Sequence, residues 1–273
     1  MIHEVLAVPR KKRSQDLTEA RIGRRPIMST AAASPGFICK LKDRKEVAES
    51  TMAFRFEKPS GWAFKAGQYL DMTLLDPPES DAEGNVRSFS IASAPQEETL
   101  MVATRMRDTA FKRVLRTMPI GAPVRIEGPS GDLILQKDLT RAAVFLAGGI
   151  GITPFRSIVH WAAKEKLPQR IFLFYSNRRP EDASFLVELQ SLEKDNPKYK
   201  LIASMTEMEK SHRPWNGESG LINQDMLGRY LKGAASPIYY IAGPPVMVKG
   251  LHGMLSKAGI NDEDIHAEEF AGY

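Results

Sequence analysis

From Gly36 to about Leu135, apolar and polar positions alternate in short segments, the period-two signature of antiparallel strands with one buried face. Residues 51–56, 68–74, 88–92, 100–104 and 123–127 carry this pattern. Pro59-Ser-Gly61, Asp76-Pro-Pro78, Ala94-Pro95 and Pro129-Ser-Gly131 interrupt it with turn residues. About six such strands in so short a stretch predict a small closed barrel. After Asp138 the period changes. Apolar strands at 142–147, 170–175, 200–204 and 238–242 alternate with amphipathic helices at 154–166, 182–193, 224–231 and 246–257, and a last strand at 264–270 closes the chain. Strands apolar on both faces and separated by helices require a parallel sheet covered on both sides, with ligands at the carboxyl ends of its strands. The chain therefore divides into a β-barrel half at 35–137 and a doubly wound α/β half at 138–273.

Residues 1–34 have neither period, and we expect them to be a disordered extension, with translation starting at Met28. They also change the reading of charge. The formal net charge is +5, but this segment holds seven Lys and Arg against three acids, so the remaining 239 residues carry 31 bases against 30 acids. A near-neutral body without a zinc-finger or RNA-binding motif argues against nucleic acid as a partner. No apolar stretch reaches the roughly 20 residues of a membrane span. Arg24-Arg25 lacks the apolar segment of an export signal, so a cytoplasmic location is expected. The single cysteine, Cys39, can make neither an internal disulfide nor an iron-sulfur site on its own, and no metal site is expected.

Two turns in the α/β half carry candidate chemistry. In Leu146-Ala-Gly-Gly-Ile-Gly-Ile-Thr-Pro-Phe155 a buried strand ends in glycines. Thr153 is placed as helix N-cap and Pro154 as first helical residue, so that free N–H groups face an anion. Alone, the loop is equally a tight turn without a ligand. Ile241-Ala-Gly-Pro-Pro-Val-Met247 repeats the arrangement, and two such turns from strands that can be adjacent line one dinucleotide crevice. Gly149, Gly151, Thr153, Pro154, Gly243, Pro244 and Met247 are the candidate nucleotide contacts. In the barrel half, Arg87, Phe89 and Ile91 alternate with Ser88, Ser90 and Ala92. A cation and a ring on one face suit a phosphate and a flat heterocycle, and suit equally an arginine at a barrel rim with a core phenylalanine.

Four motifs in order resemble the ferredoxin-NADP reductase family. Arg87-Ser-Phe-Ser90 matches its flavin motif, Gly128-Pro-Ser-Gly131 its barrel turn, Gly149-Ile-Gly-Ile-Thr-Pro154 its pyrophosphate loop, and Ala242-Gly-Pro-Pro-Val-Met247 its nicotinamide turn. The resemblance implies a six-stranded antiparallel Greek-key barrel holding FAD, followed by an NAD(P)-binding domain. It implies that Arg87 pairs with the FAD pyrophosphate, that Ser88 and Phe89 line the flavin, with Phe89 packing on the ring or ribityl chain, and that Ser90 hydrogen-bonds near flavin N5. Val102, Ala103 and Thr104 are implied near the adenosine, and Thr109-Ala110-Phe111 at the pyrophosphate. The closing Glu268-Glu-Phe270 implies a catalytic Glu268 and a ring over the flavin, which is either Phe270 or Tyr273. Phe89 stands where tyrosine is commoner and Ala242 where cysteine is common, which implies altered rates rather than lost activity.

The implied reaction is hydride transfer from NADH or NADPH to FAD N5. Single electrons then pass to a separate acceptor such as a ferredoxin, a flavodoxin or an oxygenase component. A reductase of free flavin or ferric iron, and a non-catalytic flavin-binding regulatory subunit, are the alternatives. Glu207, after the third strand of the α/β half, would repel a 2′-phosphate and favours NADH, whereas Arg178 and Arg179 could reach that phosphate. Six bases against one acid between Arg105 and Arg125 could steer an acidic partner or form a solvated face.

Overall fold

The structure, a computed structural model, describes residues 36–270. The basic extension, the Met28 start and Tyr273 lie outside the described residues. The barrel half is built from β1 (Phe37–Ala48), β2 (Thr51–Glu57), β3 (Tyr69–Leu74), β4 (Val86–Ser90), β5 (Thr99–Arg105) and β6 (Pro123–Ser130). They form one antiparallel sheet in the order β4-β3-β6-β1-β2-β5. The sheet curls so that its two outer strands approach, with the Ala92 N–H just after β4 donating to the Met101 carbonyl of β5 at 2.8 Å. Alternation along each strand sorts side chains to two faces. Phe54, Phe56, Leu70, Met72, Phe89, Leu100 and Val102 fill the barrel, while Ala53, Ala92, Met101 and Ala103 point outward into a second cluster shared with the α/β half.

One helix interrupts this half, α1 (Ala110–Thr117), between β5 and β6. The strand period at 100–104 gave no warning of it. Its face of Ala110, Phe111, Val114 and Leu115 plugs the barrel end, and the Thr109 side chain caps it by accepting from the Lys112 N–H.

The α/β half comprises β7 (Ala143–Gly148), α2 (Ile152–Lys164), β8 (Ile171–Asn177), α3 (Leu186–Asp195), β9 (Tyr199–Met205), β10 (Glu218–Ser219), α4 (Gln224–Tyr230), β11 (Ile238–Gly243), α5 (Pro245–Lys257) and β12 (Ile265–Glu269). Its six strands run parallel in the order β10-β9-β8-β7-β11-β12. β7 and β11, the strands that lead into the two glycine turns, are neighbours at the point where the order reverses. Strands β7 and β11 are buried along their whole length, as expected for central strands covered on both faces.

Two helix starts differ from the sequence pattern. A 3-10 turn at Gly149–Gly151 leads directly into α2, so Gly151 occupies the N-cap position and Thr153 already lies inside the first turn. The Thr153 hydroxyl donates back to the Ile150 carbonyl at 3.0 Å instead of capping. Gly149 makes the early start possible, because its φ of +50° is a conformation that side chains resist. The helix expected from residue 182 begins at Leu186, since Pro180–Asp182 forms a separate 3-10 turn and Phe185 breaks the path at φ +61°.

The two halves are fastened by a buried cation. Arg156 of α2, 4 % exposed, donates to the Ala92 carbonyl at 2.6 Å and to Glu97 at 2.9 Å on the barrel side. It also pairs with Glu188 of α3. Burial pushes the Glu188 carboxyl up, but the hydrogen bond from His160 and the Arg156 charge outweigh it and hold the group down at about 2. Beside this cluster the Ser157 hydroxyl donates to the Ser93 carbonyl at 2.7 Å. A buried charge of this kind is tolerated because each of its neighbours completes its hydrogen bonding.

Candidate functional site

At the barrel end, Arg87 of β4 reaches the start of α1. Its guanidinium lies over the Phe111 ring, 5.2 Å from the centroid, and that ring packs on Phe89 at 5.9 Å. Phe111 thus meets Arg87 at the start of α1, which Thr109 and Ala110 open, but Phe89 and Phe111 are core residues. The side chain of Val102 is likewise sealed inside the barrel at 0 % exposure. Strand alternation is the reason, since it turns Val102 inward and Ala103 outward. A direct side-chain contact of Val102 or Phe89 with a ligand in the cleft therefore does not fit the geometry. Ser88 is turned to Asp71 on the neighbouring strand, to which its hydroxyl donates. Thr104 is buried near the β5 end, where its hydroxyl donates to the Arg105 carbonyl at 3.4 Å.

Around Arg87 the charges are dense. Lys112 lies close enough to Arg107 and Arg87 for their charges, after burial, to push its ammonium down to about 8. Asp81, on the β3–β4 connection, accepts from the Ala110 N–H at 3.0 Å and pairs with Arg87 at 3.4 Å. Lys112 was read from the sequence only as one of six bases of a partner-steering or solvated face, and Asp81 was not singled out, because nothing in a one-dimensional pattern places a loop carboxylate on a helix that the pattern did not show.

Ser90 is 4 % exposed, and its Oγ is enclosed without a hydrogen-bond partner among the described residues. The alternation that buries Phe89 and Ile91 in the barrel turns Ser90 to the face of Ala92, towards the α/β half. An orphaned hydroxyl in this position costs about 1–3 kcal/mol unless something completes it.

In the α/β half the two glycine turns pack against each other. A Cβ on Gly151 would stand 2.2 Å from the Ala242 carbonyl oxygen, and one on Gly148 would stand 2.3 Å from Met247 Sδ. A Cβ on Gly243 would stand 3.2 Å from the Gly148 N, while Pro244 precedes α5 as its N-cap residue. Gly151, Gly243 and Met247 are thus needed first for the contact of β7 with β11. Thr153 and Pro154 are buried in the first turn of α2. Glu268 is half-buried on β12, in register with Ala242, and the next residue but one, Phe270, donates its N–H to the Gly243 carbonyl at 3.0 Å. The Phe270 ring packs on the cluster shared by the two halves.

Further along the sheet edge, Glu207 lies 3.5 Å from Arg178 and 2.8 Å from Lys210. The Lys210 hydrogen bond, opposed by slight burial and helped by the charges of Lys210 and Arg178, holds Glu207 below the usual carboxylate range. Arg179, which could have reached a phosphate, is instead bound to Asp182 at 2.9 Å, folded onto it by the Pro180–Asp182 turn, and to Glu49 of the β1–β2 turn at 2.8 Å. Asn177, at the carboxyl end of β8, is a further residue the sequence reading missed: both atoms of its buried side-chain amide lack partners among the described residues. Among the described residues no group of His, Cys, Asp and Glu could hold a metal ion, and no helix is long and apolar enough to cross a membrane.

The oxidoreductase FAD-binding domain family matches residues 38–134, and the oxidoreductase NAD-binding domain family matches residues 145–253. The chain belongs to the ferredoxin-NADP reductase-like oxidoreductases. It is 27 % identical over 240 residues to the reductase component 1 of terephthalate 1,2-dioxygenase from Comamonas sp, covering 86 % of this chain and 68 % of that one. It is 26 % identical over 223 residues to the glycine betaine monooxygenase reductase subunit of Chromohalobacter salexigens, covering 81 % of this chain and 60 % of the relative. In fold it is similar to a ferredoxin NADP+ reductase from Neisseria gonorrhoeae with bound FAD and NADP, at a TM-score of 0.70 and 22 % identity, over 86 % of this chain and 99 % of the other. This family member is an FAD- and NAD-binding flavoprotein reductase.

Proposed function

We propose that this reductase holds FAD along β4, from Arg87 at the barrel end beside the α1 start to Ser90 on the opposite face of the strand, within the 35–137 half. The 138–273 half binds the nicotinamide donor across the β7 and β11 turns. When bound, FAD supplies the hydride-accepting centre that takes two electrons from NADH or NADPH and gives them up one at a time. The protein supplies position and electrostatics. Arg87 and the Ala110 N–H are donors of the kind that grip a pyrophosphate, and Phe111 with Phe89 behind it fixes the guanidinium plane. Ala103 and Thr104 line the adenosine side.

The observation that carries this reading is the enclosed Ser90 hydroxyl without a partner on the cleft side of β4. Beside flavin N5 it gains its missing hydrogen bond. Glu268 and Phe270 close the cleft from the carboxyl end of β12, with Phe270 held by Gly243. The Ser90→Ala variant is expected to retain FAD and to slow flavin reduction about tenfold or more, the scale of one lost hydrogen bond of roughly 1.4 kcal/mol in the transition state. Stopped-flow reduction under anaerobic conditions reads the step, and an unchanged rate removes Ser90 from this role.

Several relatives are reductase components or subunits of oxygenase systems. This supports a separate protein as acceptor, in a location we propose to be cytoplasmic. The docking face is smaller than the basic run in the sequence. Arg113 is paired with Glu79 and Asp108, and Arg105 lies 3.8 Å from Asp182. Arg107, Arg116 and Arg125 stay exposed for an acidic partner. For the donor, the anionic Glu207 favours NADH, and its pairing with Arg178 leaves that arginine a poor 2′-phosphate ligand.

A further inference from the structure

The connection between β3 and β4 contains Asp76, Glu79, Asp81 and Glu83 and no base. Three of these acids fasten it to the flavin side of the barrel. Glu79 takes Arg113 with both oxygens, at 2.6 to 3.1 Å. Glu83 accepts from Arg87 Nη2 at 2.8 Å. Asp81 bridges the two groups that the preceding section assigns to the FAD pyrophosphate: one oxygen accepts from the Ala110 N–H at 3.0 Å and the other from Arg87 at 3.4 Å. The bridging carboxylate is itself held in place by the Glu83 N–H, at 3.0 Å, while the Asp81 carbonyl accepts from the Gly84 N–H at 2.9 Å.

A carboxylate and a phosphate offer the same kind of anionic oxygen to the same donors. The Ala110 N–H has one proton to give, so the two acceptors exclude each other there. A dianion placed beside Asp81 and Glu83 would also face two like charges at short range. The geometry points to Asp81 as an internal stand-in for the flavin pyrophosphate, a latch that closes the phosphate end of the barrel and must leave for FAD to enter. The charge balance favours the exchange. Lys112 and Arg107 join Arg87 in one basic cluster, in which burial first and then the two arginines hold Lys112 down to about 8. A pyrophosphate brings more charge to it than one carboxylate does. The latch thereby keeps the phosphate donors satisfied before loading and weakens retention of FAD afterwards.

This inference rests on the placement of the pyrophosphate at Arg87 and the α1 start, and the test separates the two. In the full chain stripped of FAD and then titrated with it, amide hydrogen exchange at Glu83 and Gly84 is expected to rise several-fold on loading while Ala110 becomes protected. Protection of all three sites together would overturn the latch. Asp81→Asn keeps the shape and removes the charge. It is expected to bind FAD about tenfold more tightly by flavin fluorescence quenching, and to melt lower than the parent protein only when FAD is absent. Unchanged or weaker FAD binding by this variant contradicts the proposal. If instead Arg87→Ala binds FAD as the parent does, the placement of the pyrophosphate itself is wrong.

Discussion

The two proposed phosphate sites, at the barrel end and at the glycine turns, are built by different means. The barrel end is built from charge: Arg87, Arg107 and Lys112 gather at the start of α1, balanced by acids of the β3–β4 connection. The α/β end is built from shape, with Gly148, Gly151 and Gly243 letting two strand-to-helix turns touch without any ionic group between their backbones. A charged site tolerates small shifts of side chains but responds to pH and salt. A backbone site is indifferent to both and fails when a single methyl group is added.

The largest expected effect tests the second half of this contrast. Gly151→Ala would drive a methyl group to 2.2 Å from the Ala242 carbonyl, so β7 and β11 must separate locally. Overpacking of this kind costs about 1–3 kcal/mol or more. We expect a lower Tm and near-complete loss of flavin reduction by NADH, with the bound flavin spectrum kept. Full reduction kinetics in this variant would show that the turns have slack. Next in size, Arg87→Ala should weaken FAD binding by about ten- to a hundredfold, the range of a charge-assisted hydrogen bond of roughly 1.5–3 kcal/mol. Equilibrium dialysis against FAD at low salt checks it, and the difference from the parent protein should shrink as salt is raised.

The smallest effect separates the two ends by pH. Lys112 is depressed to about 8 from its usual 10.5. In the FAD-stripped protein it therefore loses its charge as pH rises through about 8. Over that rise the affinity for FAD should fall, because an anion binds best to the protonated form. The linked stability runs the other way. Between about 8 and 10.5 the unfolded chain holds this proton and the folded chain does not, so the stripped protein gains stability as pH rises across that window. A Lys112→Met variant should flatten both profiles. The KM for NADH, set at the backbone-built end, should show no inflection from this group.

Much of the architecture could be read from the chain, and the reasons are local. The wholly apolar runs at β7 and β11 left a buried parallel sheet as the only arrangement, and the glycines after them placed both turns at neighbouring strands. The helix α1 escaped notice because it has only eight residues, and its charged positions hide the apolar stripe of Ala110, Phe111, Val114 and Leu115. The early start of α2 escaped for another reason: a positive φ at Gly149 is a backbone choice that residue type permits but does not announce. At the site, Arg87 of the motif Arg87-Ser-Phe-Ser90 does reach the α1 start, whereas the sequence reading put both Phe89 and Ser90 at the flavin. Burial of Phe89 in the barrel supports Ser90 on the side of the α/β half. Asp81 and Asn177 depend on which distant groups the fold brings beside them, and no spacing rule carries that information.

Binding of FAD and hydride transfer to it from a nicotinamide donor can be read in one experiment. The most direct measurement is the visible spectrum of the purified protein, reconstituted with FAD and titrated anaerobically with NADH and then NADPH. The protein should be yellow, and NADH should bleach its flavin absorbance at lower concentration than NADPH. A protein that stays colourless after reconstitution, or a yellow one that neither donor bleaches, would contradict this function.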